Sequence, residues 1–430
     1  MKFRKALALV MAGAMSLSLL AACGDNSGST NSGSPAPSES QTAGPNESTE
    51  PNESTAPEGG SGEASGTFKI GGAGPLTGGA AIYGNAAKGG AEIAVEEINA
   101  LGGIQFELNY ADDQHDPEKS VNAYNSLKDW DMQIFLGSVT STPGAATAAE
   151  SNADHIFYLT PSASSTDVIG GVANPLTGSV DIERRDNVFQ MCFVDPNQGS
   201  ASAQYISDNN LGSKIAVIYK NDDVYSTGIY NSFKAKADEL GLEIVSTTTF
   251  TTDTQTDFSV QINDAKNAGA DLVFLPTYYD ANSLILTQAN SIGYTPKFFG
   301  VDGMDGILSV EGFDTSLAEG VILLTPFNAD AEDEATQSFV AKYKEKYGDV
   351  PNQFAADAYD CVYAIYQALN AGGATADMSA SELCDLLIAQ FTSMTFDGLT
   401  GEQMTWSADG AVTKTPKGMF IQDGAYVGMD

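Results

Sequence analysis

Three turns in this sequence put small, hydroxyl-bearing residues directly after an apolar run, where backbone N–H groups and side-chain oxygens are free to meet a solute. In the first, Thr140-Ser141-Thr142-Pro143 follows MQIFLGSV, and Pro143 opens a small-residue helix, so Ser141 and Thr142 are expected just outside a helix amino terminus. Unpaired N–H groups and the positive end of the helix dipole make such a terminus an anion site. In the second, Ser162-Ala163-Ser164-Ser165 closes the run IFYLTP and is expected on the same edge. The third, GPLTGGAAIYG, carries Tyr83 and follows the strand-like FKIGG. A carboxylate, Asp302, stands just after KFFGV. Together these groups suit non-covalent capture of a small polar solute. Catalytic patterns are missing: there is no G-x-S-x-G, P-loop or HExxH, and the two histidines, His115 and His155, fall in dissimilar loops. GAGPLTG puts Thr77 where a dinucleotide fingerprint needs its last glycine, and no enzyme activity or cofactor is expected.

The elements that must position these turns repeat a simple alternation. After FKIGG and its turn, Ala87, Ala91, Ala94, Val95 and Ile98 recur at helical spacing, Gly102-Gly103 stops the helix, and a second strand runs from Ile104 to Tyr110. Asp116 and Pro117 then cap and open another helix. From Lys214 the series starts afresh, with KIAVIYKN, LEIVSTTTF, DLVFLPTYY and KFFGVDG as strands separated by amphipathic helices. Strands alternating with helices mean parallel sheets, and two such series mean two α/β lobes, whose ligands bind beyond the carboxyl ends of the strands. Three more helices follow, and Asp397-Gly398 and Asp409-Gly410 read as hairpin turns in the tail.

The 430 residues, 42% hydrophobic, suffice for two cored domains. A net charge of −36 argues against nucleic acid or an anionic membrane surface as partner. Lys2, Arg4 and Lys5, the apolar stretch from Ala6 to Leu20, and Leu20-Ala21-Ala22-Cys23 read as a signal peptide. Its cleavage site resembles the lipobox of bacterial lipoproteins, which implies lipidation of Cys23. Residues 24–66 hold no Lys, Arg or aromatic residue and repeat PNEST, the composition of a disordered acidic tether. Cys192, Cys361 and Cys384 lack metal-ligand spacing, so no metal site is expected; a Cys361–Cys384 bridge and buried free thiols both stay open.

From Phe68 onward the chain resembles the extracytoplasmic solute-binding proteins of ABC transporters, of the branched-chain amino acid (leucine/isoleucine/valine) binding type. GPLTGGAAIYGNAAKGGAEIAVEEINALGGI, LGSVTSTPGAATA, LTPSASS, FVAKYKEKYGDVPNQFAADAYDCVYAIYQAL and FDGLTGEQMTWSADG carry the resemblance, in that order. It implies an α/β fold of two doubly wound parallel-sheet lobes joined by a three-segment hinge, the periplasmic binding protein type I fold. Lobe one would comprise residues 67–193 and 326–395, and lobe two residues 194–325 and 396–430. Carried over residue by residue, the resemblance implies ligand roles for Tyr83, Ser141 and its neighbour Thr142, the Ser162, Ala163 and Ser164 loop, Tyr225 in DDVYSTG, Tyr278, and Asp302 as the acid that meets a ligand ammonium. The family's disulfide pattern is missing, with His115 and Thr140 at the nearest positions, and residues 165–187 form a longer segment than usual. Asp302 replaces the more familiar glutamate. The implied protein is a lipid-anchored, extracytoplasmic monomer on the outer face of the bacterial cell membrane, serving permease and ATPase subunits with an amino acid. A sensory co-receptor, or a binding protein for an amide, short peptide or other small solute, is the alternative.

Overall fold

Short, wholly apolar strands cannot lie on a solvated face, and those of this chain are covered by helices on both sides. The structure, a computed structural model, describes residues 64–429. The expected signal peptide, Cys23 and the tether as far as residue 63 lie outside the described residues. Order begins slightly before the expected Thr67: Ala64 is buried, Ser65 bridges to Thr375, and β1 starts at Gly66.

Lobe one takes β1 (Gly66–Gly74), α1 (Ala81–Leu101), β2 (Ile104–Asp112), α2 (Pro117–Asp129), β3 (Ile134–Leu136), α3 (Ser141–Asp154), β4 (Phe157–Thr160), α4 (Thr166–Ile169) and β5 (Val188–Gln190). Its strands form one parallel sheet in the order β2-β1-β3-β4-β5. Every residue of β3, β4 and β5 is buried. The second lobe follows with α5 (Asp195–Asp208), β6 (Ile215–Lys220), α6 (Val224–Leu240), β7 (Ile244–Phe250), α7 (Ser259–Asn267), β8 (Leu272–Leu275), α8 (Tyr279–Ser291), β9 (Lys297–Gly300) and β10 (Ile322–Thr325). The chain then returns to lobe one with α9 (Glu334–Tyr347), α10 (Gln353–Gly372), α11 (Ala380–Phe391), β11 (Phe396–Gly398) and β12 (Gly401–Met404). It ends in lobe two with β13 (Lys417–Gln422) and β14 (Ala425–Gly428). The second sheet runs β14-β13-β10-β9-β8-β6-β7, parallel except for β13 and β14.

Helix starts follow local chemistry. Asp116 accepts from the N–H of Lys119 with Pro117 at the first helical position of α2, and Asp223 accepts from Ser226 at the start of α6. Ser379 and Glu382 cap α11 reciprocally. Glycines within α1 permit close approach: a Cβ on Gly84 would lie 2.0 Å from the Pro75 carbonyl oxygen, and one on Gly90 would lie 1.8 Å from that of Ala355 in α10.

The chain crosses between lobes three times, as expected, but the third crossing comes later. Residues 396–414, expected in lobe two, pack on lobe one: Leu399 and Thr400 donate their N–H groups to Asp360, and Trp406 Nε1 donates to the Gln190 carbonyl. Asp397-Gly398 lies inside β11 rather than at the turn, which falls at Leu399-Thr400; Asp409-Gly410 does turn the chain between bridged Trp406 and Val412. Cys192, Cys361 and Cys384 are buried free thiols, so the Cys361–Cys384 bridge is not formed.

Candidate functional site

Open parallel sheets bind ligands where the strand order reverses. In lobe one that point lies between β1 and β3, and in lobe two between β6 and β8. The turns after these four strands, with those after β4 and β9, meet in one interlobe cleft. Tyr83, Ser141 and Ser162 line it from lobe one, and Tyr225, Tyr278 and Asp302 from lobe two. The space they leave is about 10 Å³, room for about one water. A solute of amino-acid size therefore requires the lobes to part.

Asp302, 3% exposed at the end of β9, is the cleft's carboxylate. Burial pushes its pKa up to about 7 against hydrogen bonds from Tyr225, Gln198 and the Gly303 backbone that favour the ionised form. Tyr225 Oη donates to Asp302 Oδ1 at 2.6 Å and accepts from the Gly303 N–H at 2.9 Å. Its own pKa is raised by burial and by Asp302, so the phenol holds its proton and the carboxylate its place. Tyr278 stacks on Tyr225 with ring centroids 4.7 Å apart, and its buried hydroxyl has no hydrogen-bond partner among the described residues. The hydroxyls of Tyr83 and Tyr225, by contrast, are both hydrogen-bonded within the protein.

Tyr83 acts across the cleft. Its Oη donates to the Gly303 carbonyl at 2.7 Å and accepts from the Tyr279 N–H at 3.1 Å, so in this closed arrangement its hydroxyl ties lobe to lobe. Ser141 is not outside its helix: α3 begins at Ser141, with Thr140 as N-cap, because the extended backbone of Thr140 already delivers the chain into the first turn. Ser141 thus presents its N–H at the positive end of α3 while its Oγ accepts from the Ser165 N–H.

Three expected site residues lie elsewhere. Thr142 faces lobe two and donates to Asp223 at 3.1 Å, an interlobe hydrogen bond outside the cleft lining. Ala163 has its N–H committed to Thr160 Oγ1 and its carbonyl to Gln190. Ser164 turns inward, its Oγ buried without a hydrogen bond and its carbonyl accepting from Asp195. Consecutive turn residues point in different directions, and hydroxyl content alone does not say which one faces the cleft.

Several residues that line the cleft or bond to its lining were not among those expected there. Phe354, in the first turn of α10, packs on Tyr83 at 4.4 Å. Gln353 donates to the Asp302 carbonyl at 3.0 Å, and Gln198 of α5 accepts from the Asp302 N–H at 3.3 Å. His115 sits against Tyr278, with Nδ1 2.8 Å from Thr140 Oγ1. The only sequence signal for Gln353 and Phe354 was their place at the amino end of a helix after Pro351.

A sequence profile described as "Periplasmic binding protein" matches residues 67–423. The chain belongs to that family. Periplasmic binding proteins are extracytoplasmic solute-binding proteins, and no helix among the described residues is long and apolar enough to cross a membrane. A similar family member is Leu/Ile/Val-binding protein homolog 3 of Brucella melitensis, 28% identical over 297 residues that cover 68% of this chain and 76% of that one. Among solved structures, a leucine binding protein, LivK, of Thermotoga maritima superposes with TM-score 0.74 at 26% identity over 84% of this chain and 98% of its own. The branched-chain amino acid transporter substrate binding protein LivJ of Streptococcus pneumoniae, in complex with isoleucine, gives TM-score 0.73 at 27% identity over 84% and 98% of the two chains. The periplasmic binding protein type I architecture expected from the sequence is thus the fold of this chain.

Proposed function

We propose that this protein is the extracytoplasmic capture component of an ABC transporter and that it closes on a zwitterionic α-amino acid, of branched-chain or related type. The observation that carries the reading is the pairing of Asp302, a buried carboxylate fixed by Tyr225, with the amino end of α3 at Ser141 on the opposite wall of one cleft. An ammonium satisfies the first and a carboxylate the second, and a solute lacking either charge leaves a buried group unpaired. Relatives named for leucine, isoleucine and valine support the same class. On this reading the protein delivers its ligand unchanged to permease and ATPase subunits, acts as a monomer, and is held to the membrane through lipidated Cys23. Loss of lipid incorporation in Cys23→Ala checks the anchor.

Melting curves of the purified protein against amino acids, amides, short peptides and sugars test the ligand class. At a hundred times its Kd a ligand that binds only the folded state contributes about 2.7 kcal/mol, a rise of several degrees. An amino acid should give that rise. Stabilisation by an uncharged sugar or amide alone would overturn the zwitterion reading.

A further inference from the structure

Beside the cleft, along the second crossing between lobes, lies a cavity of about 750 Å³. Lobe one walls it with the first half of α1 and the junction of α9 and α10, lobe two with the turn after Asp305 and the hairpin of β13 and β14, and the crossing itself with Phe327–Asp330. The lobes touch at its rim. Gly306 of lobe two has φ 101°, and a Cβ there would lie 3.0 Å from Ile82 Cγ2 of lobe one.

Leu308, Leu323, Phe327 and Met419 face the cavity, with the Tyr343 and Tyr347 rings 4.8 Å apart on the α9 side. Tyr347 and Val350 leave 38% and 50% of their surface in water, apolar area that an occupant would cover. The charge of the lining is one-sided. Lys88, its one cation, is paired with Glu92 at 3.7 Å, and Tyr347 Oη also donates to Glu92. Asp330 and Asp349 are exposed to water, whereas Asp305 is 7% exposed. Its Oδ2 accepts from the Gln353 N–H at 3.2 Å; its Oδ1 accepts no hydrogen bond from the described residues and is not sealed from solvent. Tyr426 stands beside it, with its Oη accepting from the Gly306 N–H at 2.9 Å. Burial raises the Asp305 pKa to about 6, so the group is mostly ionised at pH 7. A buried carboxylate with one open oxygen is satisfied by a donor carrying positive charge. No group of His, Cys, Asp and Glu among the described residues converges as a metal ion requires, and the apolar walls suit an organic body.

We infer that this cavity is a second ligand site, for an arylalkylammonium ion whose ammonium meets Asp305 and whose ring lies against the apolar lining. Because both lobes supply its walls, an occupant binds the closed arrangement better than an open one. It must then raise the affinity of the cleft for its ligand by the same factor by which that ligand raises its own. The coupling rests on the amino-acid reading above; the site does not.

Calorimetric titration of 2-phenylethylammonium chloride tests the site, with 2-phenylethanol as the uncharged match and methylammonium chloride as the charge without the ring. Wild type should hold the arylalkyl amine at least about tenfold more tightly than either control. Asp305→Asn should lose the preference for amine over alcohol. Leu308→Lys sets a cation at a half-buried lining position outside the cleft, so it should lose the amine and keep leucine, and it decides the matter should Asp305→Asn fail to fold. Saturating leucine separates the cavity from the cleft's own carboxylate: an amine in the cavity should bind more tightly, and an amine on Asp302 should be competed out. Wild type without a preference for the amine, competition by leucine, or unchanged amine binding in Leu308→Lys would each overturn the site. Amine binding that leucine neither strengthens nor displaces would overturn the coupling alone. If the amine binds and Leu308→Lys abolishes it while no amino acid binds, the cavity stands and the amino-acid reading falls; if leucine binds and the amine does not, the reverse holds.

Discussion

At the scale of single residues the cleft depends on the charge state of Asp302. Because burial raises its pKa to about 7, the folded protein takes up a proton there before the unfolded chain does, whose carboxyl titrates near 3.8. The unliganded protein should therefore gain stability from this group as pH falls from about 7 toward 4, the reverse of a salt-bridged aspartate. Binding of the proposed ligand's ammonium would have the opposite sign. It needs the carboxylate, so affinity for an amino acid should fall toward about tenfold per pH unit below 7, and Asp302→Asn should flatten that profile. Asp302→Ala should weaken binding by at least about tenfold, since a charge-assisted hydrogen bond contributes about 1.5–3 kcal/mol. Calorimetry between pH 5 and 8 checks both, and a pH-independent wild type would remove Asp302 from the ammonium site. The position of the cleft was legible beforehand: of the residues expected there, Tyr83, Ser141, Ser162, Tyr225, Tyr278 and Asp302 line it. Thr142, Ala163 and Ser164 do not, because the direction of a turn side chain is set by the dihedrals of the turn and by the opposite lobe, neither of which is local in sequence.

Among the elements, the segment from β12 to β13 carries a buried ion pair to α10. Lys414, just before the chain enters lobe two, donates to Asp357 of α10 and to Thr400 Oγ1, and the Lys414 and Asp357 side chains are 0% and 2% exposed. Burial raises the Asp357 pKa to about 6 even though Lys414 opposes it. Lys414→Met would strand that carboxylate, at a cost of about 3–5 kcal/mol. A proton can neutralise the stranded group, so the loss should be larger at pH 8 than at pH 5, and Asp357→Leu added to Lys414→Met should recover much of it. Thermal melts of the two variants at both pH values decide this; equal losses at pH 5 and 8 would mean that packing, not charge, matters there. The sequence showed the strands and helices themselves plainly, because buried runs such as LVFL and IAVIYK and caps such as Asp116-Pro117 are local signals. It put residues 396–414 in the wrong lobe because nothing local says that Asp360 will receive the N–H groups of Leu399 and Thr400.

For the whole molecule, the question is what holds the lobes together, since the cleft as seen leaves room for about one water. Hydrogen bonds that span it include Tyr83 with Gly303 and Tyr279, Ile82 with Tyr279, Gln353 with Asp302 and Asp305, and Thr142 with Asp223. The bonds of Tyr83, Ile82 and Gln353 lie at or beside the space a solute would occupy, whereas Thr142 stands outside the cleft lining. Thr142→Val keeps the shape and removes one bond to a charged group, worth about 1.5–3 kcal/mol to the closed arrangement and nothing to an open one that water can satisfy. Closed and open states differ in compactness, so small-angle scattering of the unliganded variant should give a larger radius of gyration than wild type. Ligands should dissociate about tenfold faster or more, while association changes little. A residue that touched the ligand would weaken different amino acids unequally, but one that only latches the lobes must weaken all of them by the same factor. Unequal losses across leucine, isoleucine and valine would return Thr142 to the binding surface, and unchanged scattering together with unchanged dissociation would show that the Asp223 contact takes no part in closure.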